Sequence, residues 1–205
     1  MGQTMKLNLG CGDTPMAAVT IITPTWRRTA TGELARCIAS ANNQTRHDWQ
    51  HLVMSDGPYD PDTAELCLPD ARRRYSALGR HAGDWGHTIR QHLLCVVTTP
   101  YVCFLDDDDE YLPDYLATMI APLEADPSLG FTICPMRRLF RGGEILPGAL
   151  TVDYIGTPQV LARTALLREV GWQVQHGYNA DGHTYVALAA KTQWARIPEA
   201  LINAY

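Results

Sequence analysis

The sequence predicts an α/β fold, a mostly parallel central sheet flanked by helices, as a single domain over residues 18–205. Two observations carry this. From Val19 onward, short apolar and β-branched runs alternate with longer amphipathic segments, the order that builds a parallel sheet. Polar groups also stand at the ends of three of those runs: Thr25 with Trp26, then Asp56, then Asp106 to Asp109. Open α/β sheets bind ligands at that edge, so the three groups are expected to meet in one cleft. The 205 residues, 46% hydrophobic and 19% charged, suffice for one substantial core.

Each element follows from its local pattern. Val19–Thr23 reads as a strand ending in Pro24-Thr25-Trp26-Arg27-Arg28. A helix is expected over Glu33–Gln44, with Leu34, Ile38 and Ala41 on one face and Glu33 in the first turn. Trp49–Met54 is the second strand, running into the turn Ser55-Asp56-Gly57-Pro58. Asp60 and Pro61 supply the cap and first position of a short helix. Arg73–Leu78 reads as a strand. A glycine-rich turn then leads to a helix from about His87 to Val97. After the strand that begins at Tyr101, the spacing of Leu116, Met119, Ile120 and Leu123 predicts another helix. Phe131–Pro135 reads as a strand, and 137–151 as loop or as a hairpin about Gly142-Gly143. The remainder divides into helices at Ala165–Val170 and Asp181 to about Ala190, and strands at Trp194–Ile197 and Leu201–Ala204.

The acidic run Asp106-Asp107-Asp108-Asp109-Glu110 directly after an apolar strand is the strongest chemical signal. Carboxylates crowded in one turn repel by roughly 4 kcal/mol per close pair at an effective dielectric of about 20, so a cation is expected there. Hard oxygen ligands suit Mg²⁺ or Mn²⁺, held by one or two carboxylates plus substrate phosphates. The plain alternative is a solvated turn favouring the next helix.

Composition narrows the classes. A net charge of −5 gives no generic nucleic-acid surface. Cys11, Cys37, Cys67, Cys95, Cys103 and Cys134 form no CxxC pair and read as reduced, mostly buried thiols. No run reaches the roughly 20 apolar residues of a membrane span, and no signal peptide is visible, so a cytoplasmic location is expected. Lys6-Leu7-Asn8-Leu9-Gly10-Cys11-Gly12-Asp13 looks like the first glycine-rich motif of S-adenosylmethionine-dependent methyltransferases. The helix that must follow such a turn is missing, and residues 1–17 are read as an N-terminal extension.

Five segments in order resemble family 2 glycosyltransferases, inverting enzymes with the Rossmann-like GT-A fold. They are Val19 to Trp26, Leu52 to Gly57, Gly86 to Gln91, Leu105 to Asp109 with its DxD pattern, and Val170-Gly171-Trp172 followed by Ala180-Asp181. Three positions depart from the family pattern: Trp26 stands for tyrosine, Ala180 for a glutamate, and Ala187 for an arginine. The resemblance implies a nucleotide-diphospho-sugar donor, UDP-linked in the first instance, and an acceptor hydroxyl. It implies that Pro24, Thr25, Trp26, Asp56, Arg90, Asp106 and Asp107 bind the donor, with Trp26 stacking on the base and Asp56 accepting a base N–H. It further implies that Asp106 and Asp108 serve Mn²⁺ or Mg²⁺, and that Asp181 is the catalytic base, with His183 able to assist. His176 and His183 are possible phosphate or metal partners, although lone histidines are more often structural. A nucleotidyltransferase and a non-catalytic nucleotide-sugar-binding module stay open as alternatives.

Overall fold

In a computed structural model that describes residues 16–205, seventeen helices and strands form two sheets with helices against them. The first half runs β1 (Val19–Thr25), α1 (Glu33–Asn42), β2 (Trp49–Ser55), α2 (Pro61–Cys67), β3 (Arg73–Ala77), α3 (His87–Val96) and β4 (Tyr101–Phe104). Then come β5 (Glu110–Tyr111), α4 (Tyr115–Ala125), β6 (Leu129–Ile133), β7 (Met136–Arg138) and β8 (Glu144–Leu146). The chain ends with β9 (Val160–Arg163), α5 (Thr164–Val170), α6 (Ala180–Ala189), β10 (Gln193–Arg196) and β11 (Ile202–Ala204). The glycine motif at Lys6–Asp13 lies outside the described residues.

The large sheet has the order β10-β6-β9-β4-β1-β2-β3. Its neighbours pair in parallel except at β9, which is antiparallel to both β4 and β6. Both faces are covered. On β1, Ile21 packs with Cys37 of α1 and Met119 of α4, while Ile22 packs with Ile89 and Leu93 of α3. That two-sided burial is why β1 and β4 read as continuous apolar runs rather than alternating ones. A small sheet, β5-β11-β7-β8, stands beside the end of β4.

β9 corrects the expected strand list. Its four residues run without a turn into α5, so no period or breaker marks it in sequence. The segment between β6 and β9 is closed at its neck: the Cys134 N–H donates to the Gln159 carbonyl and the Gln159 side-chain amide donates back to the Cys134 carbonyl, each 3.0 Å. Within it, β7 and β8 form the hairpin about Gly142-Gly143.

A chain of buried donors ties the sheet's edge to its centre. Arg73 Nε donates to His51 Nδ1 (3.1 Å), so the ring proton sits on Nε2 and is given to Thr23 Oγ1 (2.9 Å). Thr23 in turn donates to the Leu105 carbonyl (2.7 Å). Burial and the Arg73 charge push His51 well below the ordinary histidine range, so the neutral tautomer persists. The chain ends one residue before the acidic turn and so fixes where that turn begins.

Candidate active site

A cleft of about 640 Å³ runs along the carboxyl ends of β1, β2 and β4. The residues that the resemblance assigns to donor and metal line it, from Pro24, Thr25 and Trp26 through Asp56 and Arg90 to Asp106, Asp107 and Asp108, whereas His176 and His183 do not. Asp181 lines it from the opposite wall. Residues far apart in sequence therefore meet because parallel strands deliver their carboxyl ends to one edge.

Gly86 sets the start of α3. Its φ is +79°, and a β-carbon there would lie 2.5 Å from Pro24 Cβ. Only glycine lets α3 close against β1. That approach brings Arg90, one turn into α3, to the floor of the cleft. Arg90 is ion-paired to Asp106 and donates to the Trp85 carbonyl at 2.6 Å.

The acidic turn is crowded and poorly hydrated. Burial, reinforced by the Asp108 charge, pushes the Asp107 carboxyl up to about 6. Asp108 is raised by burial and by Asp106. Asp109, more deeply buried, lies well above the carboxylate range for the same reasons. Arg28 offers partial relief, with Nη2 3.2 Å from Asp108 Oδ2 and Nε 3.8 Å from Asp107 Oδ1. Trp26 N–H donates to Asp107 Oδ2 at 3.2 Å.

Asp56 serves the protein first. Its two carboxylate oxygens accept the backbone N–H groups of Ala82 (2.6 Å) and Gly83 (2.9 Å), clasping the loop after β3. Each oxygen keeps a further lone pair. His81 Nδ1 lies 3.1 Å from the same carboxylate, and the His81 ring stacks on Trp26 with centroids 4.3 Å apart. The Trp26 ring expected to meet a base is thus already stacked, so a base must share or displace His81.

Asp181 lies in the first turn of α6, after the N-cap residue Asn179, and is not itself the cap. Oδ2 accepts from Thr157 Oγ1 (3.1 Å) and Oδ1 from the Gly182 N–H (2.8 Å). A helix N-terminus lowers a carboxyl's basicity, yet burial wins and Asp181 is raised. Gly182 permits this seat, since a β-carbon there would lie 2.7 Å from the Val152 Cα. His183 does not line the cleft; it stacks on His176 with centroids 3.7 Å apart. The assisting role expected of it is withdrawn.

Sequence reasoning missed Arg28, His81, His87 and Thr157, all of which line the cleft. Only Arg28 had a signal, as a cation three residues beyond the end of β1. His87 is buried beside Arg90 and accepts from Trp172 Nε1 at 3.0 Å. Burial, with the Arg90 charge adding, pushes it down to about 4.

Among the described residues no group of three His, Cys, Asp or Glu side chains closes around one point. The donor set still fits a hard divalent ion bound by one or two carboxylates with phosphate oxygens completing its shell, and a cation would relieve the raised Asp108. No helix among the described residues is long and apolar enough to cross a membrane.

A Rossmann-like sheet whose central strand ends in an acidic turn, with a small second sheet beside it, defines a GT-A-type fold. The chain belongs to glycosyl transferase family 2, whose model matches residues 20–173; Asp181 lies beyond that span. No curated protein matches the chain in sequence. The structure is similar to that of S. aureus TarS 1-349, with a TM-score of 0.75 and 17% identity over 91% of this chain and 60% of that one. The same TarS segment in complex with UDP-GlcNAc gives a TM-score of 0.76 at 17% identity, over 91% and 58%. The mannosyltransferase PcManGT from Pyrobaculum calidifontis, in complex with GDP-Man and Mn2+, gives 0.72 at 20% identity, over 93% and 57%. These likenesses are of fold, and the chain spans about three fifths of each of these proteins.

Proposed function

We propose that the chain is a metal-dependent, inverting glycosyltransferase that moves a sugar from a nucleotide-diphospho-sugar, UDP-linked in the first instance, to an acceptor hydroxyl. One observation carries the reading: the Asp56 clasp, the acidic turn and the half-buried Asp181 face one another across a single cleft. Asp56 offers its spare lone pairs to a base N–H, which suits the imide of uracil. Asp106 and Asp108 would hold Mn²⁺ or Mg²⁺, which when bound stabilises negative charge on the leaving diphosphate. Arg90 braces Asp106 and leaves its free oxygen toward the cleft. Asp181, more basic than an ordinary aspartate, takes the proton of the acceptor hydroxyl as it attacks the far side of the sugar. Single in-line attack inverts the anomeric centre.

The test is incubation with UDP- and GDP-sugars, with Mn²⁺ or with EDTA, while free nucleotide is measured. Release from UDP-sugars that requires Mn²⁺ is expected. Alongside, UDP should raise the melting temperature more with Mn²⁺ than with EDTA, and Asp108→Ala should remove that difference. A nucleotide shift in the intact protein that EDTA leaves unchanged would sink the metal role. No release with any donor, despite nucleotide binding, would favour a binding module.

A further inference from the structure

Two large aromatic side chains stand in solvent at the mouth of the cleft. Trp85, in the loop before α3, is 62% exposed, and Tyr178, three residues before Asp181, is 72% exposed. Their rings meet edge to face, with centroids 5.5 Å apart and planes at 78°, and both residues line the cleft. Rings of this size are ordinarily buried, and leaving two of them wet is unfavourable.

Trp85 also carries backbone strain. Its φ is +56°, the left-handed region that bulky side chains avoid and that clusters at ligand sites. The strained residue is held from below, because its carbonyl accepts from Arg90 Nη1 at 2.6 Å. The side chain is thereby turned outward on a rigid base rather than folded into the core. On α3 the indole meets the His87 ring, tilted with centroids 6.4 Å apart, and its remaining surface lies where a ligand at the cleft mouth would cover it.

The surroundings select the kind of ligand. Asp153, Asn179 and Asp181 line the same wall, so hydrogen-bonding groups flank the two rings. An acyl chain would need continuous apolar wall. A pyranose matches the pattern: one face of axial C–H groups lies flat on an aromatic ring while hydroxyls at its rim reach carboxylates and amides. We propose that Trp85 and Tyr178 form the platform for a saccharide acceptor, one of whose hydroxyls is thereby brought to Asp181. This rests on the transferase reading above and adds the acceptor's chemical class.

Saturation-transfer NMR on the intact chain tests it, with UDP and Mn²⁺ present and a mixture of methyl pyranosides and short oligosaccharides as probe. A Ser/Thr-containing peptide and a medium-chain alcohol serve as comparison probes. Saturation is expected on the C–H protons of one face of a saccharide. Tyr178→Ala should weaken that saccharide's affinity about tenfold, the counterpart of about 1.4 kcal/mol, and Trp85→Ala should do the same while Trp85→Tyr restores most of it. Should Trp85→Ala fail to fold, Tyr178→Ala alone decides, since its exposed ring carries no core contact. The UDP thermal shift should persist in Tyr178→Ala. No saccharide signal, a signal only on the peptide or alcohol, or one that Tyr178→Ala leaves unchanged would each overturn the platform. If Tyr178→Ala weakens a UDP-sugar more than UDP, the rings hold the donor's sugar and the acceptor assignment falls. If UDP gives no shift in the intact protein, it is the transferase reading that has failed.

Discussion

Arg90 and Asp106 are joined at the floor of the cleft with the guanidinium side chain 4% exposed and the carboxylate 29% exposed. The buried partner is therefore the cation, and the anion keeps one side free. Removing a buried partner from such a pair costs about 3 kcal/mol, at the low end of the usual range because Asp106 still meets water. Arg90→Ala should lower the urea midpoint accordingly. Arg90→Lys should recover little, since a single ammonium cannot serve both Asp106 and the Trp85 carbonyl. A lysine variant with the parent midpoint would show that the two-sided link is unimportant.

Asp56 is predicted to have two separable effects. Asp56→Asn keeps the shape but turns one acceptor oxygen into a donor against the Ala82 or Gly83 N–H. That mismatch should destabilise the fold by roughly 1–3 kcal/mol before any ligand is added, read as a lower unfolding midpoint. UDP affinity should fall as well, while affinity for a sugar phosphate lacking a base should hold. Equal losses for both ligands would remove Asp56 from base recognition.

His87 gives the fold an acid sensitivity. Its pKa falls from 6.5 to about 4 on folding, so the folded state binds fewer protons. Its contribution is intact above about 6.5 and is lost as pH falls toward and through about 4, to a limit of about 3 kcal/mol. His87→Asn retains an acceptor for Trp172 Nε1 and cannot be protonated there. Denaturant melts at pH 7 and pH 4 should show a smaller acid loss for the variant than for the parent. Identical losses would assign the acid sensitivity elsewhere.

Asp181→Asn should depress transfer by 10²–10⁴-fold, the usual size of a lost general base, with the UDP-plus-Mn²⁺ thermal shift unchanged. Asparagine Oδ1 can still accept the Gly182 N–H, and its amide NH2 can donate to the Thr157 hydroxyl, which reverses its role, so the seat should survive. Transfer at near-parent rates would dismiss Asp181 as the base.

Much of the donor side was legible because it is built locally. Each of β1, β2 and β4 is an apolar run followed at once by its polar group, and chain order alone placed Thr25, Asp56 and Asp106 on one edge. What stayed hidden depends on contacts between distant segments. β9 has four residues and no turn before α5, and β5 has only two, too few for a period to show. The stacking of His81 on Trp26 needs the Asp56 clasp to bring the loop over. Asp181's environment reversed the expectation from its helix position, because burial against 152–157 outweighs the helix terminus. The pairing of His183 with His176 likewise leaves no trace in spacing.

The reversed strand β9 has a consequence for variation. Every other strand of the large sheet points its carboxyl end at the cleft, but β9 presents its amino end there, so the chain leaves at Cys134 and returns at Gln159 on the same edge. The two ends are stapled by their reciprocal hydrogen bonds, and the excursion between them supplies Val152, Asp153 and Thr157 to the wall around Asp181. Once a neck is closed, doubling the length of a flexible excursion costs only about 0.6 kcal/mol. Between the buried Gly148 and Ile155, the largely exposed residues 151–154 can therefore be lengthened or replaced with the strand register untouched, which makes this stretch an exchangeable cassette through which one scaffold can be refitted to new ligands.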